Sequence, residues 1–147
     1  MRTLPLAVVL GLATLGPAVA GPGGPGIIAP SELQGGTPYD HNGSTMKVSF
    51  DDGVIIYREP KDSIAGTVPV GQVLFRGKMT VNGRISGTAY VFKRGCAPAP
   101  YAVEGRDTDP GFVLTGKAPV RGAGCEVIGY SSDSPNARLR FRNMMSL

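Results

Sequence analysis

The chain has 147 residues, a formal net charge of +4, 22 glycines, 13 prolines and no tryptophan. Such a length allows one domain and little more, and so small a positive charge does not by itself indicate nucleic-acid binding. Gly or Pro interrupts nearly every ten-residue window, so the composition favours short strands and turns over helices.

The first twenty residues have the organisation of a secretory signal peptide. Arg2 gives a positive start, residues 4–15 form an apolar run, and Ala18-Val19-Ala20 ends it with small side chains. The run is too short to span a bilayer and no second one follows, so we expect a soluble mature chain without a transmembrane segment. Cleavage leaves 127 residues (147 minus 20) with a charge of +3. We predict a periplasmic or secreted protein.

The two cysteines, Cys96 and Cys125, lie in the exported part, where thiols are oxidised. A disulfide between them would close a loop of about 30 residues and stabilise the fold by roughly 3 to 4 kcal/mol. The alternative is a reactive or metal-binding thiol pair, but a metal needs further ligands and the chain has one histidine. We therefore predict a structural disulfide, no metal and no cofactor.

The composition divides the mature chain into three parts. Residues 21–38 are rich in Gly and Pro without periodicity and predict a flexible lead-in. A single domain is predicted over 39–142, followed by a short tail, 143–147. Strands are predicted over 46–50, 54–58, 72–81, 84–93, 101–104, 112–118, 126–131 and 138–142. The predicted fold is all-β, a small antiparallel barrel or tight sandwich of six to eight short strands.

The Asn82-Gly83 dipeptide predicts a hairpin with a two-residue loop. Val81 then faces Arg84, and Phe75 faces Tyr90 on the side of the strands that is predicted to be buried. Glycines inside these strands, Gly77 and Gly87, indicate a sharp bend or a close approach of the backbones. The predicted core consists of Val48, Phe50, Ile55, Tyr57, Val73, Phe75, Tyr90, Phe92, Val103, Leu114, Val127 and Leu139.

The last predicted strand alternates basic and apolar residues. Arg138, Arg140 and Arg142 share one face, and Leu139 and Phe141 share the other and point inward. Three aligned guanidinium groups can bind phosphate, carboxylate or an anionic envelope polymer. The alternative is that these charges protect an edge strand from aggregation.

Three more cations, Arg76, Lys78 and Lys93, lie on the outer face of the predicted hairpin. They extend the basic surface if the sheet wraps suitably. These six residues are the predicted binding residues, and the predicted partner is a protein of unknown identity or an anionic envelope component, not nucleic acid.

Groups for enzyme chemistry are few. Asp40, His41 and Ser44 supply the side chains of a hydrolytic triad, but neighbours in sequence rarely converge in that geometry. The segment is interpreted as a turn with an exposed histidine. The pairs Asp51-Asp52 and Asp107 with Asp109 also lie in predicted turns. No catalytic residue is predicted.

The chain shows two resemblances to known proteins, and the first rests on a short motif. Ser86-Gly87-Thr88-Ala89-Tyr90 resembles the Ser-Gly-x-x-Tyr signature of small periplasmic β-barrel inhibitors of c-type lysozyme, and Lys93-Arg94-Gly95 resembles their Lys-Gly element. In that family the serine and a lysine enter the active site of lysozyme. The predicted hairpin register, however, turns Ser86 and Tyr90 toward the core.

A broader pattern covers most of the domain: 39–44, 56–60, 71–77, 87–92, 101–105 and 114–119, with Cys96 and Cys125. It resembles small exported bacterial proteins of unassigned function. The resemblance implies secretion, one domain and the Cys96–Cys125 bridge, but no activity. The predicted function is a non-enzymatic exported binding or structural module of the cell envelope; the alternative is a secreted inhibitor of lysozyme or of a protease.

Overall fold

The computed structural model describes residues 24–145. The predicted signal peptide and the last two residues of the predicted tail lie outside the described residues. The described part contains two short 3-10 turns, Pro30–Glu32 and Pro135–Ala137. Its ten strands are β1 (Thr37–His41), β2 (Ser44–Ser49), β3 (Val54–Glu59), β4 (Val73–Met79), β5 (Arg84–Val91), β6 (Ala99–Arg106), β7 (Gly111–Thr115), β8 (Ala118–Arg121), β9 (Val127–Ser131) and β10 (Arg138–Asn143).

Eight of these strands close into one antiparallel barrel. Their order is β1-β10-β7-β6-β5-β4-β3-β2, and β8 pairs with β9 in a separate two-stranded sheet. A disulfide joins Cys96 to Cys125. The all-β prediction is thus confirmed in its barrel form, with the predicted disulfide. None of the helices within residues 24–145 is long and apolar enough to cross a membrane.

The connections between strands gather at the two ends of the barrel. One end, here called the mouth, carries residues 42–43, 60–72, 92–98 and 116–137. The other end, here called the base, carries residues 50–53, 80–83 and 107–110. The mouth therefore holds the long loops and the extra β8–β9 sheet, while the base is closed by short turns.

Side chains fill the interior, as the small diameter of an eight-stranded barrel requires. Aromatic rings run through it along the line where β1 meets β10. His41 stacks on Phe141 with ring centres 4.6 Å apart, and Phe141 stacks on Phe112 at 4.8 Å. Tyr39 contacts Phe112 at 5.3 Å and completes this column of rings.

The predicted core is correct for most positions and wrong for two. Val127 is 39% exposed because β9 belongs to the sheet outside the barrel. Tyr90 is partly exposed and is not among the residues packed against the core. The single strand predicted over 112–118 is also divided, since β7 ends at Thr115 and β8 begins a new sheet at Ala118.

The predicted register of the β4–β5 hairpin is wrong by one residue. Phe75 pairs with Ala89, not with Tyr90. The loop contains three residues, 81–83, because Thr80 N–H still bonds to the Arg84 carbonyl. A slip of one residue exchanges the two faces of a strand, so the predicted inner face of β5 is its outer face. On β4 the prediction is correct for Phe75, which is buried, and for the basic residues, which are exposed, but it is wrong for Val73 and Leu74. Leu74 is 2% exposed in the barrel core, whereas Val73 packs in a separate cluster with Leu33, Val54 and Ile56, because the β3–β4 register shifts at Ile55 and Ile56.

The first strand was not predicted, although its turn carries a clear signal. Asn42 and Gly43 have φ angles of 51° and 90°, and His41 pairs with Ser44 across them. Both angles belong to a two-residue hairpin turn, for which Asn-Gly is the preferred sequence. The segment is therefore a turn as interpreted, but one that joins two strands of the barrel.

The described part of the predicted lead-in lies against the outside of β2, β3 and β4. Leu33 is 7% exposed, and Lys47 Nζ donates to the carbonyls of Pro30 and Leu33 at 2.6 and 2.7 Å. Val73 N–H bonds to the Gly26 carbonyl at 3.1 Å. Residues 24–36 are thus attached to the barrel and do not form a free linker.

The two strand glycines, Gly77 and Gly87, face each other across β4 and β5. A Cβ at Gly77 would meet the Ser86 carbonyl oxygen and would lie 2.8 Å from Phe75 Cζ. The ring of Phe75 therefore covers the glycine pair, and the predicted close approach of the backbones is confirmed.

We expect Gly77→Ala to lower the free energy of unfolding by about 2 kcal/mol, because overpacking a well-packed site typically costs 1–3 kcal/mol. Urea denaturation followed by circular dichroism measures this loss. Gly129→Ala is the matched control, since a Cβ there meets no atom within 4 Å. Equal unfolding midpoints for the two variants would show that the close packing at Gly77 is incorrect.

Candidate functional site

The clearest surface feature is the row of arginines on β10. Arg138, Arg140 and Arg142 are exposed, while Leu139 and Phe141 between them are buried. The predicted alternation is confirmed. Successive arginine Cα atoms lie about 6.8 Å apart, twice the rise per residue of an antiparallel strand. We call these three residues the arginine stripe.

The arginine stripe does not lie on an edge strand. β10 pairs with β7 along five residues on one side and with β1 on the other. On the β1 side, strand pairing reaches Arg142 and Asn143, and the Arg140 carbonyl is bonded to the His41 side chain instead. The alternative explanation of the charges, protection of a free edge, therefore does not apply to the end of the strand that carries Arg142.

Within residues 24–145, no hydrogen bond or ion pair occupies the side chains of the arginine stripe. Asp40 lies directly across from Arg142 on β1, yet the two form no ion pair. The described ion pair joins Arg84 to Glu104 at 3.0 Å on another part of the surface. The guanidinium groups of the stripe are thus available to a partner.

A groove of about 470 Å³ runs beside the stripe. Arg140 and Arg142 line it, together with Asp40 and the apolar side chains of Pro110 and Val113. We call it the seam groove, since it follows the line where β1 meets β10. It combines two cations with an apolar surface, an arrangement that suits an amphipathic anionic group.

The other predicted binding residues lie elsewhere. Arg76 Nε and Nη2 donate to the Pro25 carbonyl at 3.0 and 2.9 Å, and Lys93 Nζ donates to the Gly124 carbonyl at 2.6 Å. Lys78 is exposed on β4, which lies four strands from β10 in the barrel order. The six basic residues therefore do not form one patch, and Arg76 and Lys93 serve local structure.

His41 was expected to be exposed and is instead buried, at 6% exposure. Its Nδ1 lies 2.8 Å from the Arg140 carbonyl oxygen. A carbonyl only accepts, so Nδ1 carries the proton and Nε2 of the neutral ring is an acceptor. Burial lowers the pKa of His41 below the usual 6.5, against an opposing effect of the bond to Arg140.

The three triad-type side chains do not converge. Asp40 and His41 are consecutive strand residues and point to opposite faces of β1. The Ser44 hydroxyl accepts from Lys61 N–H at 3.0 Å and not from the imidazole. Nδ1 of His41 is used by the Arg140 carbonyl. This geometry is not that of a nucleophile activated by a general base.

The carboxylates in the predicted turns stabilise those turns. Asp52 Oδ2 accepts from the Ser49 hydroxyl at 2.9 Å, and Asp107 Oδ2 accepts from Asn82 N–H at 2.8 Å. Asp107 thereby joins two turns at the base of the barrel. Among residues 24–145, no three His, Cys, Asp or Glu side chains gather where they could hold a metal ion.

A second cavity, not predicted from the sequence, opens at the mouth of the barrel. It has a volume of about 230 Å³ and is enclosed by three segments distant in sequence, the 60–72 loop, the end of β5 with its loop, and the Pro135–Ala137 turn. We call it the mouth cavity. Its lining residues are His41, Tyr57, Ile64, Thr67, Val68, Leu74, Tyr90, Val91, Phe92, Lys93, Arg94, Asn136 and Leu139.

The disulfide and one arginine hold the mouth together. Cys96 lies in the 92–98 loop and Cys125 in the β8–β9 turn. Arg121 donates through Nη1 to the Cys125 carbonyl and through Nη2 to the Ala97 carbonyl, both at 2.7 Å. The β8–β9 sheet is thereby fastened to the loop that forms one wall of the mouth cavity.

Comparisons with known proteins find no match for this chain. The chain matches no protein-family model, no curated protein and no solved structure at a significant level. The resemblance to small exported bacterial proteins therefore stays a prediction.

We expect acidification from pH 7 to pH 5 to destabilise the protein through His41. Its folded-state pKa is lowered, so below 6.5 the unfolded chain binds a proton that the folded protein does not. The stabilisation is complete above the unfolded pKa and is lost as the pH falls toward the folded pKa. One such group contributes at most about 1.4 kcal/mol per pH unit.

Urea denaturation at several pH values, for the wild type and for His41→Gln, measures this contribution. The wild type should lose stability from pH 7 to pH 5, and the neutral variant should show a smaller slope over that interval. The same slope in both proteins would contradict the assignment to His41.

Proposed function

We propose that this protein is a non-enzymatic, exported binding module whose arginine stripe binds an anionic component of the cell envelope. The observation that carries the proposal is a row of three exposed arginines, unpaired among the described residues, on a strand that stands between β1 and β7 in the closed barrel. Three cations side by side repel one another, so their alignment costs free energy that a bound anion offsets.

The chemistry of the stripe indicates the class of partner. A guanidinium group binds phosphate or carboxylate through two parallel hydrogen bonds. The spacing of about 6.8 Å along the strand suits a linear polymer with an anionic group on each repeat. The net charge of the mature chain is small, so attraction would be local to the stripe and would not depend on the whole surface.

Two features support the proposed location. The first twenty residues have the pattern of a secretory signal, and the two cysteines are paired in the folded domain. Disulfides persist in the periplasm and outside the cell, whereas cytosolic thiols are kept reduced. A protein exported to these places is in contact with the anionic polymers of the cell envelope.

A specific observation favours a second candidate, inhibition of c-type lysozyme. In the observed register, Ser86 lies on the outer face of β5, where the predicted register had turned it inward. Ser86 borders a shallow depression of about 400 Å³ on the outer surface. Lys93, the other residue of the motif, lies beyond the other end of β5, and its Nζ already donates to the Gly124 carbonyl. Of the two residues, the geometry therefore favours Ser86 as the contact with the active site of lysozyme.

For the leading proposal, we expect the double variant Arg138→Ala, Arg140→Ala to bind polyphosphate-coated beads, which present a linear polymer with an anionic group on each repeat, at least tenfold more weakly than the wild type. Each lost charge-assisted hydrogen bond contributes about 1.5–3 kcal/mol, and 1.4 kcal/mol is a factor of ten. Co-sedimentation at two salt concentrations measures the affinity. Thermal stability should be nearly unchanged, because both side chains are exposed.

The matched control is Arg58→Ala with Lys78→Ala, which removes the same charge from exposed positions on β3 and β4. It should retain most of the wild-type affinity. Equal losses in the two double variants would show that net charge, not the stripe, governs binding. Unchanged binding in the stripe variant would exclude the stripe as the site.

For the second candidate, the mature protein should inhibit c-type lysozyme at micromolar concentration in a cell-lysis assay, and Ser86→Trp should abolish the inhibition by blocking the outer face of β5. Ser132→Trp, on an exposed residue near the β8–β9 sheet, is the control. No inhibition by the wild type at micromolar excess would exclude this candidate.

A further inference from the structure

The mouth cavity has a chemical character distinct from that of the arginine stripe. Apolar and polar side chains share its walls, and the apolar part includes Val68, Leu74 and Leu139, which are buried against the barrel core. Phe92 contacts the ring of Tyr57 edge to face, with ring centres 6.2 Å apart. Mouths of β-barrels lined in this way are typical binding sites for small molecules.

Two polar side chains that line this cavity, His41 and Tyr57, each have a ring nitrogen or hydroxyl without a partner among residues 24–145. His41 lines it with Nδ1 already bonded to the Arg140 carbonyl, so Nε2 is the ring atom left to accept a hydrogen bond. The Tyr57 hydroxyl makes no hydrogen bond to any residue between 24 and 145, although the side chain is only 5% exposed. A ligand with a matching polar group can therefore form hydrogen bonds with both side chains from within the cavity.

The rim of the cavity is cationic. Lys93 and Arg94 line it, and none of the lining residues is Asp or Glu. Lys93 Nζ is used by the Gly124 carbonyl, whereas the Arg94 guanidinium has no partner within the described chain. The rim therefore favours a negatively charged group, and Arg94 is the residue able to hold it.

The volume limits the size of the ligand. An apolar cavity of about 150 Å³ holds benzene, and sites for drug-sized molecules begin near 300 Å³. At about 230 Å³, the mouth cavity fits a single aromatic ring with one or two substituents.

We propose that the mouth cavity binds a small hydroxylated aromatic carboxylate, with its ring against Phe92 and Leu139, its hydroxyl at His41 and Tyr57, and its carboxylate at Arg94. The ligand hydroxyl donates to His41 Nε2 and accepts from the Tyr57 hydroxyl, so both groups gain a hydrogen-bond partner. The site is separate from the arginine stripe and does not depend on the function proposed for it.

The test is a titration of the full mature protein with 4-hydroxybenzoate, benzoate and phenol, followed by NMR. His41 is the only histidine of the chain, so its imidazole signals are a unique reporter inside the cavity. We expect 4-hydroxybenzoate to shift the His41 Nε2 and Hε1 signals and to bind at least tenfold more tightly than either probe lacking one polar group.

Variants make the test specific. Arg94→Gln should weaken 4-hydroxybenzoate about tenfold and leave phenol unchanged, whereas Arg58→Gln, an exposed arginine on β3, should change neither. Ile64→Trp fills the cavity and should abolish binding while the circular dichroism spectrum is retained. Absence of His41 shifts at millimolar probe, equal binding of phenol, or wild-type affinity in Arg94→Gln would overturn the proposal.

Discussion

The line where β1 meets β10 is the contact on which the rest of the structure depends. Two backbone pairs join these strands, Tyr39 with Asn143 and Asp40 with Arg142. Past them, the His41 imidazole donates to the Arg140 carbonyl and stacks on Phe141. A side chain thus extends the short backbone ladder, and the ring column behind it supplies apolar contact. Without this closure the eight strands would form an open sheet with two free edges.

Closure of the barrel also changes how the arginines on β10 are explained. On an open sheet, aligned arginines at the last strand would protect an edge, and that explanation would suffice. In the closed barrel the same residues lie on a strand between β1 and β7, although β1 pairs with only the last two residues of that strand. Since the stripe is unpaired within the described chain, a binding role becomes the better account of it. The topology, more than the charge count, is what supports the binding proposal over edge protection.

The sequence was informative where the structure depends on local pattern and uninformative where it depends on distant contacts. Alternation along β10 and the Gly77–Gly87 approach were predictable, because each follows from strand geometry alone. The burial of His41 was not, since its partner is 99 residues away. The prediction of the β5 register was wrong for a related reason. Asn82-Gly83 indicates a hairpin, but the length of its loop decides which face of each strand is buried.

The two candidate sites are built in different ways, and this difference follows from what each requires. The arginine stripe needs only alternation: Arg140 points its side chain outward while its carbonyl holds His41, so truncating that side chain leaves the seam intact. The mouth cavity needs loops from three parts of the chain held in place. The disulfide and Arg121 do so for the wall beside Phe92, because loops without such ties are mobile. A small barrel can therefore carry a charged site on its wall at little structural cost, whereas an enclosed site at its mouth depends on cross-links.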